Sequence, residues 1–257
     1  MEDLLAQAMP FLIVMPLAFL AGFVDSIAGG GGLISLPGYI MTGLPMHMVL
    51  GTNKLTSTMG TAVSTLRYAK EGFIKPKRVL PCIAMAFLGS AIGANLALLI
   101  PDGVFRIIML FAIPTTALYL MRGRSFDANE QSPFDARSIA VCMLIACCLG
   151  VYDGLYGPGT GTFFMIAFTG IARLTLNDAA GTTKAVNLTT NLAALIVFLA
   201  NGQVWLVLGL VGGAFNMLGN YFGSKLFLQN GSSITRPIMF VVLAIFLVKT
   251  IYELVVG

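Results

Sequence analysis

The chain has 257 residues, of which 57% are hydrophobic and 10% charged, with a formal net charge of +4 and a mean hydropathy of +0.89. Soluble domains carry about 25% charged residues, so this composition excludes a soluble globular protein and points to a multi-pass membrane protein, with a lipid bilayer as its solvent. The cations lie in short loops rather than in one basic patch, so nucleic acid is not an expected partner.

The N-terminal MEDLLAQ is acidic. A secretory signal opens with a basic segment, so the first apolar run, residues 4–24, reads as a retained helix. Asp25 and the glycine run Gly29, Gly30, Gly31 and Gly32 interrupt it. A short apolar run follows over 33–43, and then one over 48–66 with Thr52, Asn53 and Lys54 near its start. Loop 67–78 holds Arg67, Lys70, Lys75, Lys77 and Arg78. Residues 79–101 are uncharged until Arg78 behind them and Asp102 ahead, and are long enough to span a bilayer. Asp102 and Gly103 read as a tight turn, with a further run over 107–121. The polar stretch 122–137 divides the chain.

The second half repeats the first. At an offset of 128, Gly22, Asp25, Gly29 and Gly31 map on Gly150, Asp153, Gly157 and Gly159. Past the short run the offset is 130, and Gly51, Thr52 and Lys54 map on Gly181, Thr182 and Lys184, Gly72 on Gly202, and Arg106 on Arg236. The expected organisation is a first transmembrane repeat over 1–121, a cytoplasmic linker over 122–137 and a second repeat over 138–257. The fold class is all-α, with about five hydrophobic segments per repeat and helices broken at glycine. If all five segments cross, an odd number, the second repeat inserts upside down relative to the first; four passes per repeat with a re-entrant hairpin would give parallel repeats and a poorer sorting of charge. The positive-inside rule supports the inverted arrangement. With the N-terminus outside, loop 67–78, Arg122, Arg124, Arg137, Arg173, Lys225 and Arg236 fall on or near the inner face, and the uncharged loop 200–204 falls outside; Arg106 and Lys249 are exceptions.

Inverted repeats with broken helices are a transporter arrangement, with substrate held near the midplane by half-helix N-termini. The glycines precede the short runs 33–43 and 162–171. Free N–H groups at such starts favour an anion. The candidate substrate-binding set is Gly29 to Gly32, Thr52, Asn53, Lys54, Gly157, Gly159, Thr160, Gly161, Thr182, Thr183, Lys184, Asn187 and Asn191. A buried lysine is costly unless paired, so Lys54 and Lys184 meet either Asp25 and Asp153 or the substrate. The two acids have two readings, a proton-coupling site and a structural ion pair. The glycines also allow close helix packing, as in Gly89-x-x-x-Gly93 and Gly219-x-x-x-Gly223. His47 reads as a loop residue near the outer interface, and Trp205 and Tyr252 as interface anchors. Cys82, Cys142, Cys147 and Cys148 lie in apolar runs without metal-ligand spacing, so no metal and no cofactor is expected.

The stretches GFVDSIAGGGGLISLP, GTNK, GVYDGLYGPGTGTFF and GTTKAVN resemble the TauE/SafE sulfite-exporter family of membrane permeases over nearly the whole chain. The resemblance implies transport of sulfite or related sulfur anions, organosulfonates included, across the bacterial cytoplasmic (inner) membrane. The second half departs from the first at Pro158 and Thr160, where the first has Gly30 and Gly32. No P-loop is present in this sequence, so an ion gradient or the substrate's own gradient is the expected drive for a secondary transporter. An anion channel built from the same parts is an alternative. An intramembrane aspartyl protease using Asp25 and Asp153 is another, although its pattern places the Asp directly after a Gly-x-Gly turn. A homodimer is compatible with this much apolar surface.

Overall fold

A computed structural model describes residues 2–105, 107, 108, 111, 115 and 135–230. Most of the run 107–121, most of the linker, and Arg106, Arg236, Lys249 and Tyr252 lie outside the described residues. Eight helices are described: α1 (Glu2–Ala28), α2 (Gly32–Ile40), α3 (Met46–Lys70), α4 (Pro76–Leu99), α5 (Ala136–Leu155), α6 (Thr160–Gly170), α7 (Leu176–Ala200) and α8 (Leu206–Asn230). No strand occurs among the described residues.

Five of these helices are long and apolar enough to cross a membrane: α1 through Ala8–Ala28, α4, α5, α7, and α8 through Leu206–Gln229. Helix α3 has the same length as α7, 25 residues. It falls short in apolarity because, beyond the buried Thr52, Asn53, Lys54, Thr56, Thr61 and Ser64, which α7 matches with six of its own, it also carries Ser57, Thr58, Thr65, Arg67 and Lys70. Helices α2 and α6, of 9 and 11 residues, rise about 14 and 17 Å at 1.5 Å per residue, roughly half a hydrocarbon core.

Side chains set the helix ends. Asp102 accepts from the N–H groups of Met46 at 2.8 Å and His47 at 3.4 Å, capping α3. Thr175 accepts from Asp178 N at 3.2 Å and caps α7, and Asp135 accepts from Ser138 N at 2.9 Å and caps α5. Pro76 opens α4 at a position where no N–H is needed. Helices α3 and α7 end alike. Phe73 N bonds to Tyr68 O and Gln203 N to Phe198 O, each one residue past a glycine, Gly72 and Gly202. This is the 6→1 bond of a Schellman motif.

Three readings of the sequence are corrected here. Asp25 and Asp153 do not interrupt their helices, which continue to Ala28 and Leu155; the chain breaks only at the following glycines. Asp102 opens a helical stretch to Phe105 rather than a tight turn. His47 sits in the first turn of α3, not in a loop, with Nδ1 3.2 Å from Asp102 Oδ1.

Small residues set the helix pairing. Helix α4 runs alongside α5 in the same sense: a Cβ on Gly89 would meet Cys147 backbone, and one on Gly93 would meet Val151 backbone. Helix α1 runs with α8 in the same way, Gly219 against Phe19 backbone and Gly223 against Phe23 backbone. Helix α8 also follows α3, with Gly209 on Leu55 and Gly213 on Met59. Helix α4 follows α7, with Arg78 bonded to Asp178 and Ser90 to Thr190 O. Helices α3 and α7 meet in opposite sense, for Lys54 reaches Asn191 while Thr65 reaches Lys184 O. Helix α2 folds back on α1, with Gly31 at Ala21 and Gly38 at Leu17.

Among the described residues, the two ends of this bundle differ in charge. One carries Arg67, Lys70, Lys75 and Lys77 around the α3–α4 turn, which packs on the start of α7 through Phe73 and Gly181. Arg137 and Arg173 lie at the same end, at the start of α5 and between α6 and α7. The other end carries His47, Asp102 and the uncharged turn 201–205, where Gln203 packs on Gly51.

Candidate functional site

The two helix breaks meet inside the bundle. Gly29 has φ +74°, and a Cβ there would strike the backbone of Gly161 and Thr162. No other residue type satisfies both conditions without strain. The Thr162 hydroxyl donates to Ala28 O at 3.0 Å, so the start of α6 closes the open carbonyl end of α1. In return, Gly32 at the start of α2 packs against Pro158 and Gly157. The breaks differ in backbone shape. The first has positive φ at Gly29 and Gly30, the second at Gly157 and Gly159, because Pro158 is confined to negative φ where Gly30 is not.

A cavity opens where the breaks meet. The atom-free space there comes to about 510 Å³ when the opening to the surroundings is counted with it. Of the residues singled out in the sequence it brings together Asp25, Gly30, Gly31, Gly32, Asn53, Lys54, Asp153, Gly157, Gly159, Thr160, Gly161, Asn187 and Asn191. Gly29, Thr52, Thr182, Thr183 and Lys184 lie outside its lining. The Thr52 hydroxyl accepts from Trp205 N at 2.9 Å and so holds the start of α8. The Thr182 hydroxyl returns to Asp178 O at 2.7 Å.

Two ion pairs cross between the halves. Lys54 Nζ donates to Asp153 Oδ2 at 2.8 Å and to Asn191 Oδ1 at 3.1 Å. Lys184 Nζ lies 3.1 Å from Asp25 Oδ2 and also bonds to Asp25 O. Each lysine of one half therefore holds the acid of the other. Among the described residues, the second oxygen of each acid, Asp25 Oδ1 and Asp153 Oδ1, takes no hydrogen bond. No hydrogen bond joins the two acids to each other, as a shared-proton dyad requires.

The amides at the breaks are open. Among the described residues, the N–H groups of Gly30, Gly31, Gly159 and Gly161, all in the cavity lining, have no acceptor. Lys54 has three hydrogens and uses two of them on Asp153 and Asn191. The paired charges cancel, leaving helix-start amides and one lysine N–H as the net donors. That is an anion-receptive arrangement.

The sequence reading missed Ser57, Thr61, Tyr156 and Asn216 in the lining. Asn216 is 4% exposed. Its Nδ2 donates to Ala18 O at 2.8 Å and its Oδ1 accepts from Asn220 Nδ2 at 2.9 Å. The available signal was an Asn pair at i and i+4 in an otherwise apolar helix. Ser57 and Thr61 continue the Lys54 face of α3 at helical spacing.

The family model for the sulfite exporter TauE/SafE matches residues 14–250. A probable membrane transporter protein from a Sinorhizobium species is 37% identical over 246 residues, covering 94% of this chain and 92% of that protein. A probable membrane transporter protein of Haemophilus influenzae is 33% identical over 241 residues, 94% of each chain. The probable membrane transporter protein YfcA of Escherichia coli is 32% identical over 237 residues, 92% of this chain and 87% of that one. No solved structure matches the chain. The family match spans nearly the full length, so this multi-pass membrane protein belongs to the sulfite exporter TauE/SafE family.

Proposed function

We propose that the protein is a secondary transporter of small sulfur-containing anions, sulfite or an organosulfonate, working as an exporter in the bacterial cytoplasmic membrane. The observation that carries this reading is the set of open amides at two converging helix breaks, with Lys54 beside them, in the interior of a membrane bundle. Family membership and the names of the relatives support transport, and the family description supports sulfite and the outward direction.

The mechanism we infer is alternating access between two inverted repeats. The opposite sense of the matched helices α3 and α7 supports inversion. So does the reciprocity of packing, α1 on α8 and α5 on α4. Gathering of cations at one end supports an N-terminus outside. Asp25 and Asp153, each with one unbonded oxygen, are the positions for a coupled proton. An Asp25→Asn variant with full rate and full pH dependence removes Asp25 from that role.

The test is uptake and counterflow in proteoliposomes with sulfite, sulfoacetate, taurine, sulfate and chloride, for the unsubstituted protein and Lys54→Ala. Saturable counterflow of one sulfur anion, lost in the variant, supports the carrier. Flux without counterflow replaces it with a channel. Absence of flux for all five sinks the substrate class.

A further inference from the structure

The cavity is lopsided between the two halves. On α3 it follows one face from Leu50 through Asn53, Lys54 and Ser57 to Thr61. At the offset of 130 the matched face of α7 is Ala180, Thr183, Lys184, Asn187 and Asn191. Only Asn187 and Asn191 line the cavity. Because α7 runs against α3, these two lie on the cation-poor side of Lys184. Lys184 is level with Thr65, which bonds its carbonyl and lies past the last lining residue of α3. The cavity thus extends along α3 toward the cation-poor end and stops at the Lys184–Asp25 pair.

A second observation points the same way. Thr183 is 1% exposed and its hydroxyl has no partner. Its neighbours on α7 return theirs to the helix, Thr182 to Asp178 O and Thr189 to Ala185 O. A buried polar atom left unsatisfied needs a reason. Asn53, the match of Thr183, faces the open cavity and also keeps an unpaired Oδ1.

We propose that the Lys184–Asp25 pair is a gate, shut in this structure, and that opening it exposes a second vestibule lined by Ala180, Thr183 and Lys184 at the cation-rich end. Both pairs are formed in this structure, but only Lys184–Asp25 stands between the cavity and the cation-rich end, while Lys54–Asp153 belongs to the cavity wall. Thr183 is unpartnered here because its surroundings in the other state are the cavity. This proposal rests on the transporter reading above.

The test uses single thiols. In a background with Cys82, Cys142, Cys147 and Cys148 replaced by serine, Asn53→Cys and Thr183→Cys report the two vestibules. A membrane-impermeant methanethiosulfonate is applied to either face of sealed vesicles. With the gate intact, position 53 labels from the cation-poor face at least tenfold faster than position 183, and the slow labelling of 183 comes from the cation-rich face alone. Labelling of 183 from the cation-poor face, or from neither face, overturns the proposal without any gate variant. Adding Lys184→Gln, or Asp25→Asn as a second route, accelerates 183 at least tenfold and slows 53. A monodisperse gate variant with both rates unchanged overturns the proposal. Accessibility that switches without anion flux keeps the gate and removes the substrate class; flux without switching removes the gate alone.

Discussion

Lys54 Nζ lies 2.8 Å from Asp153 Oδ2, with the two side chains only 4% and 3% exposed. The residues are 99 positions apart and belong to different halves, so the pair ties the two halves together where the helices break. Its partner pair, Lys184 and Asp25, repeats the arrangement with the halves exchanged.

Removing one member of such a pair leaves a buried charge without compensation. Lys54→Gln or Asp153→Asn is expected to destabilise the protein by about 3–5 kcal/mol. The double variant Lys54→Gln/Asp153→Asn leaves no buried charge and is expected to recover much of that loss. Thermal unfolding in detergent checks both. A double variant that loses as much as the two single variants summed would show that the pair carries no coupling.

The breaks make a prediction about side-chain volume. A Cβ on Gly161 would sit 2.9 Å from Gly29 Cα, while one on Gly170, in the same helix, would meet nothing within 4 Å. Gly161→Ala is therefore expected to drive the two breaks apart, reducing the yield of monodisperse protein and abolishing counterflow. Gly170→Ala is expected to leave both within twofold of the unsubstituted protein. Size-exclusion profiles and the proteoliposome assay read the contrast.

The helices and the places where they break were legible because the glycine clusters and hydrophobic runs are local signals. The repeat of Asp, Gly and Lys at a near-constant offset marked the residues that gather at the centre. The helical path through Asp25 was not legible. A lone acid in an apolar run reads as an interruption, and the lysine that lets the helix continue is 159 positions away. Nor does the sequence separate Lys54, which faces the cavity, from Lys184, which does not: both close a Gly-Thr-x-Lys stretch, and the relative placement of α3 and α7 distinguishes them. Asn216 was passed over because its local partner, Asn220, makes the two amides read as helix packing, and the contact that places it at the site, with Ala18, is 198 positions away.

The ends of the bundle carry two side-chain pairs of different worth. Arg78 is 1% exposed and donates to Asp178 Oδ2 at 2.9 Å. Arg78→Met leaves Asp178, in the first turn of α7, without its cation and is expected to cost about 3 kcal/mol. The His47–Asp102 pair has an acid side chain 42% exposed, so His47→Gln is expected to cost below about 1 kcal/mol. Asp102→Ala removes the cap of α3 as well and is expected to cost about 1 kcal/mol. Denaturation midpoints for the three variants give the order.

Asn216 tests whether the cavity takes an anion. It lines the space shared by Lys54 and the open amides, and both ends of its amide are used, on Ala18 O and on Asn220. Asn216→Asp keeps the shape and adds a negative charge without adding a lysine to match. An anion in the same cavity then meets repulsion in a medium that screens poorly, so flux is expected to fall at least tenfold. Asn216→Ser also alters the amide's hydrogen bonds but adds no charge, and is expected to lose less than Asn216→Asp. Equal losses in the two variants would assign Asn216 to packing between α1 and α8. Retained flux in Asn216→Asp would place the anion's path elsewhere than this cavity.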